Sequence, residues 1–462
     1  MSILPDAEKI AELLARYDRP GPRYTSYPTA VEFDDSFGPE AYEERLATAR
    51  QSRDPLSLYF HLPFCSHRCA FCGCHVIITT KHDVATDYLG VLHQEVDLVA
   101  DRLGERTSVR QYHWGGGTPT FLNVEEMEAL HEKVLSRFTI EKDAEVAIEV
   151  DPRVTSDPQL ELLKRLGFNR ISMGVQDFTP EVQDAITRWQ TEEQTVRMIE
   201  KCRSLGLDSL NIDLIYGLPK QTPDAFVKNL DRVISLRPNR VAVYSYAHVP
   251  WMKANQRKTV EAMLPKADVK LRLFAETRAR FVDAGYEPIG MDHFALPDDE
   301  LAVAARNGVL HRNFMGYTTR PAPDMIGFGV SAIGDVANAY VQNEKVIPAY
   351  RRKVQEGVPP TLRGVGLSDE DRIRREIIMS IMCNWRVDKA GLEKRWGFDF
   401  AEKFGPELEE LREEERRGFV QQDDAEIRVV DTGRIFVRNI AMIFDERLRR
   451  MEREGPVFSR TV

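Results

Sequence analysis

Cysteine is scarce in this chain, six residues in 462, and four of the six fall within ten positions. A set so sparse and so clustered is no disulfide framework, and a reducing cytoplasm is the expected compartment. No apolar run reaches the roughly 18 residues that a bilayer-spanning helix needs. The opening MSILPDAE has no basic region followed by an apolar stretch, so no secretory signal is expected. Positive charge is short as well. The formal charge of −10 argues against a nucleic-acid-binding surface, because phosphate recognition wants a basic face. A local basic pocket for an acidic small molecule stays open. With 42% hydrophobic and 29% charged residues, the composition is that of a soluble globular protein, long enough for two or three packed units.

The cysteine cluster lies in YFHLPFCSHRCAFCGC, residues 59–74. Cys65, Cys69 and Cys72 have C-x3-C-x2-C spacing, which lets a short loop wrap three thiolates around one side of an iron–sulfur cube. A cube has four iron corners, so one iron is left for a substrate or cofactor. Structural zinc wants a closed tetrahedron, commonly built from two separated ligand pairs, and this compact loop has no second pair nearby. A fourth thiolate would close the open site, so Cys74 reads as a non-ligand lining it, or as an ordinary buried thiol. Cys202 and Cys383 stand alone in helical patterns and read as core.

From about residue 55, short β-rich runs alternate with amphipathic stretches. Strands are expected at 58–62, 109–114, 145–150, 170–175, 209–216 and 240–246, with helices near 85–102, 123–138, 191–204 and 222–236. Six strand–helix repeats predict a parallel α/β sheet, open or partly closed into a (β/α)6 TIM-like barrel. The residues able to do chemistry fall at the strands' C-terminal ends, where such folds put their sites: the cysteine loop, GGGTP at 115–119, Glu149, Gln176, Asp213 and Ala247. Residues 1–54 form an N-terminal extension, with one helix and the proline-broken GPRYTSYPT at 21–29. Residues 55–362 form the barrel with its substrate loops. Residues 363–462 form a small, mainly helical, winged-helix-like domain, with strand-like runs at 427–430 and 435–438. The stretches 290–300 and 310–319 read as long loops dense in His, Arg, Asn and Tyr, a common setting for function.

Asp213 sits inside the apolar run LNIDLIY, where an unpartnered carboxylate is costly. Ribose hydroxyls or a buried ion pair would satisfy it. Arg188 reads as a partner for a carboxylate or as a solvated helix residue.

The cysteine spacing, with an aromatic residue before the third cysteine, resembles the radical S-adenosylmethionine (AdoMet) enzymes. The GGGTP loop resembles their GGE-type motif without its acidic residue, so Glu149 on the next strand is expected to hold a polar end of the cofactor. Over nearly its whole length the chain is similar to the oxygen-independent coproporphyrinogen III oxidase (dehydrogenase) family. The resemblance rests on PRYTSYPT, the cysteine loop ending in CGC, HWGGGTPT, IEVDPR, SMGVQDF, NIDLIYGLPKQT, GMDHFA and GYTT.

That resemblance implies an oxidoreductase of haem biosynthesis. Two propionates of coproporphyrinogen III become vinyl groups with loss of CO2, giving protoporphyrinogen IX. It implies one 4Fe-4S cluster on Cys65, Cys69 and Cys72, two AdoMet molecules, a flavodoxin-like electron donor and a monomer. Tyr59, Gly116, Glu149 and Ile333 would contact the cluster-bound AdoMet. Phe71, Gly117, Thr118, Gln176, Arg188, Asp213 and Ala247 would contact the second. Tyr59, His61 and Glu149 are the catalytic candidates, with His61 tuning the cluster. Arg23, Arg312 and Arg320 are candidates for the substrate's propionates, and the extension 1–54 would cover the barrel mouth. Met315 and Thr187 depart from relatives that carry Gln and Asn there, and the first puts any polar contact at that position in doubt. Two other functions compete: a related haem chaperone, and a radical AdoMet enzyme with another substrate. Cys74 and the PRYTSYPT extension favour the oxidase.

Overall fold

A computed structural model of the chain describes residues 7–451 and 457–461. Met1–Asp6, part of the segment read as lacking a leader, lies outside the described residues. The chain gathers into two compact units, one of residues 32–214 and 320–367, the other of residues 1–31, 215–319 and 368–462. No helix of the described residues is long and apolar enough to cross a membrane.

The first unit carries the cysteine loop. Its strands β1 (Leu56–Leu62), β2 (Ser108–Gly116), β3 (Thr139–Val150), β4 (Arg170–Gln176) and β5 (Ser209–Tyr216) run parallel in that order. The strand Asp324–Phe328 adds parallel to the free side of β1, and three antiparallel strands follow it, Ile333–Asp335, Ala339–Asn343 and Thr361–Gly366. Five of the expected strands are these, and the sixth is Arg240–Ser245 of the other unit. Burial explains why they were readable. Leu58, Phe60 and Leu62 of β1 are wholly buried and so are Leu56 and Ser57 beside them, the near-continuous burial of a strand covered on both faces.

The helices between these strands start at capping residues. Asn123 accepts from the Glu126 amide and Thr191 from the Gln194 amide, each in a reciprocal capping box. The helix His82–Leu103 buries Ala85, Tyr88, Leu92, Val96, Val99 and Leu103, one stripe at helical spacing. Each large side chain in it contributes about 1.5–3 kcal/mol of burial. From the same face Glu95 accepts hydrogen bonds from the Gly329 amide (2.7 Å), the Asn343 amide group (2.7 Å) and the Tyr350 hydroxyl (2.6 Å). This buried network fixes the turn that leads from Phe328 to Ile333.

In the second unit, Arg240–Ser245 pairs antiparallel with His293–Ala295, which pairs with Glu287–Ile289. The stretches read as long loops are therefore largely ordered. Gly290, at φ +55°, opens the turn of the first hairpin, and His311–Asn313 with Gly316–Thr318 forms a second. At the C-terminus, Val420–Gln422, Glu426–Val429 and Arg386–Asp388 form a small antiparallel sheet. The expected strand at 435–438 is instead helical, Gly433–Phe436 leading into Val437–Met442. Every residue of Val437–Met442 is buried, so burial all round overrides the β-propensity of Ile-Phe-Val. The aromatic PRYTSYPT segment is irregular, as expected, and Tyr24 and Tyr27 join Ile377, Ile381, Phe404 and Phe444 in this unit's core.

Candidate active site

The cysteine loop leaves β1 through Pro63 and the short strand Phe64–Cys65, which pairs with Ile77–Ile78. The glycine loop leaves the neighbouring β2, and two main-chain bonds tie the loops together. The Gly117 amide donates to the Leu62 carbonyl and the Thr118 amide to the Phe64 carbonyl, both at 2.8 Å. Glycine is required here. A Cβ on Gly117 would stand 2.6 Å from the Phe64 oxygen and the Pro63 carbonyl carbon, and one on Gly116 (φ +116°) 2.7 Å from the His61 ring.

Cys65 and Cys72 are half-buried, Cys69 is buried and Cys74 is exposed. The Thr118 hydroxyl lies 3.5 Å from the Cys65 sulfur, and the Cys74 amide donates to the Cys72 sulfur at 3.4 Å. Burial pushes the Cys65 thiol up to about 11; the Thr118 hydroxyl opposes this, while Cys72 and Cys69 add to it. Three thiolates that repel one another are stable around a positive centre, which is what an iron–sulfur cluster offers. Among the described residues no three His, Cys, Asp or Glu side chains are gathered as around a single metal ion. On a cube each thiolate takes a separate iron, so the three need not be gathered that tightly. The donor set fits the implied cluster.

Beside Cys69 stands a charged group of which sequence reasoning named Arg188 and missed Asp151 and Arg153. Arg188 is buried and donates to Asp151 (3.2 Å), the Gly174 carbonyl (2.6 Å) and Gln190 (3.0 Å), and its Nη1 lies 3.9 Å from the Cys69 sulfur. Arg153 donates to Asp151 at 2.6 Å. Burial would raise the Asp151 carboxyl, but Arg188 and Arg153 outweigh it and hold it below its ordinary range. Asp151 and Arg153 follow the end of β3 in IEVDPR, just past Glu149, and that run of charged residues was the available signal.

Glu149 accepts from the Gly116 amide at 3.1 Å and faces His113 at 3.6 Å. Burial opposes its ionisation; His113 and that amide outweigh burial, so the carboxylate is held below its ordinary range. His113 was also missed, although it shares a face of β2 with Gly115. Tyr59 on β1 donates to His61 Nδ1 (2.9 Å), and His61 Nε2 donates to the His75 carbonyl (2.9 Å). Burial pulls His61 down to about 4, so it is neutral at pH 7, and these two partners define its tautomer.

Register extends this row. Glu149 stands opposite Ser172 on β4, Ser172 opposite Asn211 on β5, and Gly174 opposite Asp213. Asn211 donates to Asp213 at 2.8 Å and also to Ser172 at 2.9 Å, so the carboxylate in the apolar run is held by polar neighbours. Gln176 ends β4 at φ +70°, past a bulge; a Cβ on Gly174 would meet its amide nitrogen at 2.7 Å. Ile333 reaches β1 through Gly327, which pairs with Tyr59 and whose Cβ would stand 2.6 Å from the Ile333 oxygen. Phe71 lies half-buried between Cys69 and Cys72.

One expected residue is elsewhere in the first unit, and three more belong to the second. Arg320 pairs with Asp143 at 2.7 Å, six residues before Glu149 on β3 and so about 20 Å along that strand. It is not brought to the rim. Ala247, whose carbonyl accepts from Gln256 at 3.2 Å, and the pair Arg23 and Arg312 belong to the second unit. There Arg312 donates to the Arg23 carbonyl at 2.9 Å.

Residues 59–233 match the Radical SAM superfamily and residues 367–436 the HemN C-terminal domain. The superfamily implies a 4Fe-4S cluster and S-adenosylmethionine. The chain is 47% identical to the oxygen-independent coproporphyrinogen III oxidase of Escherichia coli (strain K12), covering 97% of this chain and 98% of the relative. It is 40% identical to the Synechocystis protein of the same name, with 99% of each covered. The solved structure of coproporphyrinogen III oxidase from Escherichia coli, a radical SAM enzyme, superimposes with a TM-score of 0.88 at 46% identity, over 92% of this chain and 97% of that one. Likeness of this extent, in both sequence and fold, makes this chain a member of the oxygen-independent coproporphyrinogen III oxidase family, a radical SAM α/β fold with a helical C-terminal domain.

Proposed function

We propose that this chain carries out the AdoMet-dependent oxidative decarboxylation of two propionates of coproporphyrinogen III, giving protoporphyrinogen IX in anaerobic haem biosynthesis. The observation that carries the reading is the joining of the cysteine loop to the glycine rim, with Glu149 one strand away. Cys65, Cys69 and Cys72 hold the 4Fe-4S cluster, and Cys74 does not. When bound, cluster and AdoMet supply a primary carbon radical able to take hydrogen from a propionate β-carbon. Every other part belongs to the chain.

The Glu149 carboxylate, kept ionised by His113 and the Gly116 amide, accepts from the ammonium of the methionyl end of AdoMet. Tyr59 and Ile333 border that end. Neutral His61, fixed between Tyr59 and the His75 carbonyl, presents no charge beside the cluster and so leaves its potential to the nearby peptide dipoles. Buried Asp151 and Arg188, with half-buried Arg153, orient positive charge toward Cys69. A second AdoMet uses Phe71, Gly117, Thr118, Gln176, Arg188, Asp213 and Ala247, with Asp213 accepting from ribose hydroxyls. Arg23 and Arg312 are the substrate-binding cations. The enzyme acts as a cytoplasmic monomer with a flavodoxin-like donor.

The test is anaerobic turnover of the reconstituted protein with AdoMet, a reductant and coproporphyrinogen III. Vinyl product formed together with 5′-deoxyadenosine supports the reading. Tight haem binding without either product points to the haem-chaperone function instead.

A further inference from the structure

The second unit contains a pocket of about 520 Å³, its open mouth included, with a wall of mixed character. Leu271, Phe274 and Ile435 are apolar, whereas Arg23, Lys270, Arg438 and Asp292 are charged. Among the lining side chains three cations face one carboxylate; Asp18, which also attracts Lys270, is shared with Arg460 at 2.7 Å. One oxygen of the lining carboxylate is engaged, Asp292 Oδ1 lying 2.7 Å from His293 Nδ1, while its buried Oδ2 has no hydrogen-bond partner. Arg438 is buried and donates to main-chain carbonyls, those of Pro22 (3.0 Å), Arg460 (3.1 Å) and Gly21. Those bonds satisfy its hydrogens without neutralising its charge. Arg23 donates to the Ser245 carbonyl, and its buried Nε has no partner. The Lys270 stem is given room by Gly217 (φ +83°), where a Cβ would stand 3.0 Å from its Cε.

We propose that this pocket is a carboxylate site, in which Arg23, Lys270 and Arg438 bind the head of a short alkyl arm whose methylenes lie against Leu271, Phe274 and Ile435. Burying like charges together is costly unless an anion joins them. That cost is visible in the two most enclosed cations: burial, with Arg23 adding to it, pulls Lys270 down to about 8 and Arg438 to about 9. Two sources offer the same chemistry, a propionate arm of a tetrapyrrole and a free short-chain acid. Assignment to the arm rests on the function proposed above.

The test is equilibrium binding to the full-length protein, with three probes: coproporphyrin III, its tetramethyl ester and sodium propionate. Wild type is compared with Lys270→Met, Lys270→Arg and Arg23→Met. The expected result is that coproporphyrin III binds and the ester does not, that either Met variant weakens binding about tenfold or more, and that Lys270→Arg restores most of it. Propionate binding that both Met variants abolish, with porphyrin affinity unchanged, supports the site and assigns it to a free acid. If wild type binds propionate but no porphyrin and shows no turnover, the proposed function fails and the pocket stands. Equal binding of every probe by wild type and by Met variants with native thermal melts overturns the proposal.

Discussion

Gly117→Ala tests whether the cysteine loop and the glycine rim act as one piece. The new methyl carbon would lie 2.6 Å from the Phe64 oxygen and the Pro63 carbonyl carbon, and 2.8 Å from the Phe64 nitrogen. All three are main-chain atoms immediately before Cys65, so no flexible side chain can swing away. Normal contact needs about 3.5 Å, and the two loops must part by about 1 Å. Overpacking of that kind costs about 1–3 kcal/mol. It also stretches the 2.8 Å bonds from Gly117 to Leu62 and from Thr118 to Phe64. A displacement of about 1 Å at a reacting centre costs about 100-fold in rate. The control is Gly73→Ala in the same loop, where nothing lies within 4 Å of the added carbon. Iron and sulfide content after anaerobic reconstitution, the rate of 5′-deoxyadenosine release and the thermal melt are compared. Gly117→Ala should melt lower and release product about 100-fold more slowly, while Gly73→Ala matches wild type. Wild-type behaviour of Gly117→Ala, or equal losses in both variants, would refute the reasoning.

Cys69→Ser should abolish cluster assembly and turnover, while Cys74→Ser keeps its iron and visible spectrum; equal iron loss in both would overturn the three-ligand assignment. Glu149→Gln should weaken AdoMet binding about 10–100-fold, the worth of a charge-assisted hydrogen bond, read from the AdoMet-induced change in the reduced cluster's paramagnetic spectrum. An unchanged affinity would remove Glu149 from the cofactor site. Burial pushes Glu95 from 4.5 up to about 7, although Tyr350, Gly329 and Asn343 pull against it. The folded chain therefore keeps a proton that the unfolded chain sheds above about pH 4.5, and stability falls between about pH 4.5 and 7, then levels. In denaturant melts, the stability advantage of wild type over Glu95→Gln should shrink across that window; an advantage constant with pH would mean that Glu95 is ionised throughout.

The strands and the order of site residues along them were readable for one physical reason. Parallel strands covered on both faces carry long apolar runs, and the candidate residues lie where most of the runs stop: Cys65 after β1, Gly115–Gly117 at the end of β2, Glu149 near the end of β3 and Gln176 at the end of β4, with Asp213 inside the run of β5. Spacing alone says nothing of contacts made across the sheet. Arg188 lies 37 positions from Asp151 and 119 from Cys69, and no periodicity links the three. Its burial is decided by the Gly174 carbonyl and Gln190, so reading it as a solvated helix residue could not be excluded from sequence. The run at 435–438 misled for the opposite reason. Ile-Phe-Val favours a strand, but there Phe436 and all of Val437–Met442 are buried, with Ile435 partly so, and the helix satisfies its own main chain without a neighbouring strand. The one available clue was Arg438 directly after that run, a cation that a fully buried segment keeps only where carbonyls or an anion receive it. The carbonyls of Gly21 and Pro22 do receive it, and Arg438 therefore bears on two questions at once, how the PRYTSYPT segment is held and what the pocket beside it binds.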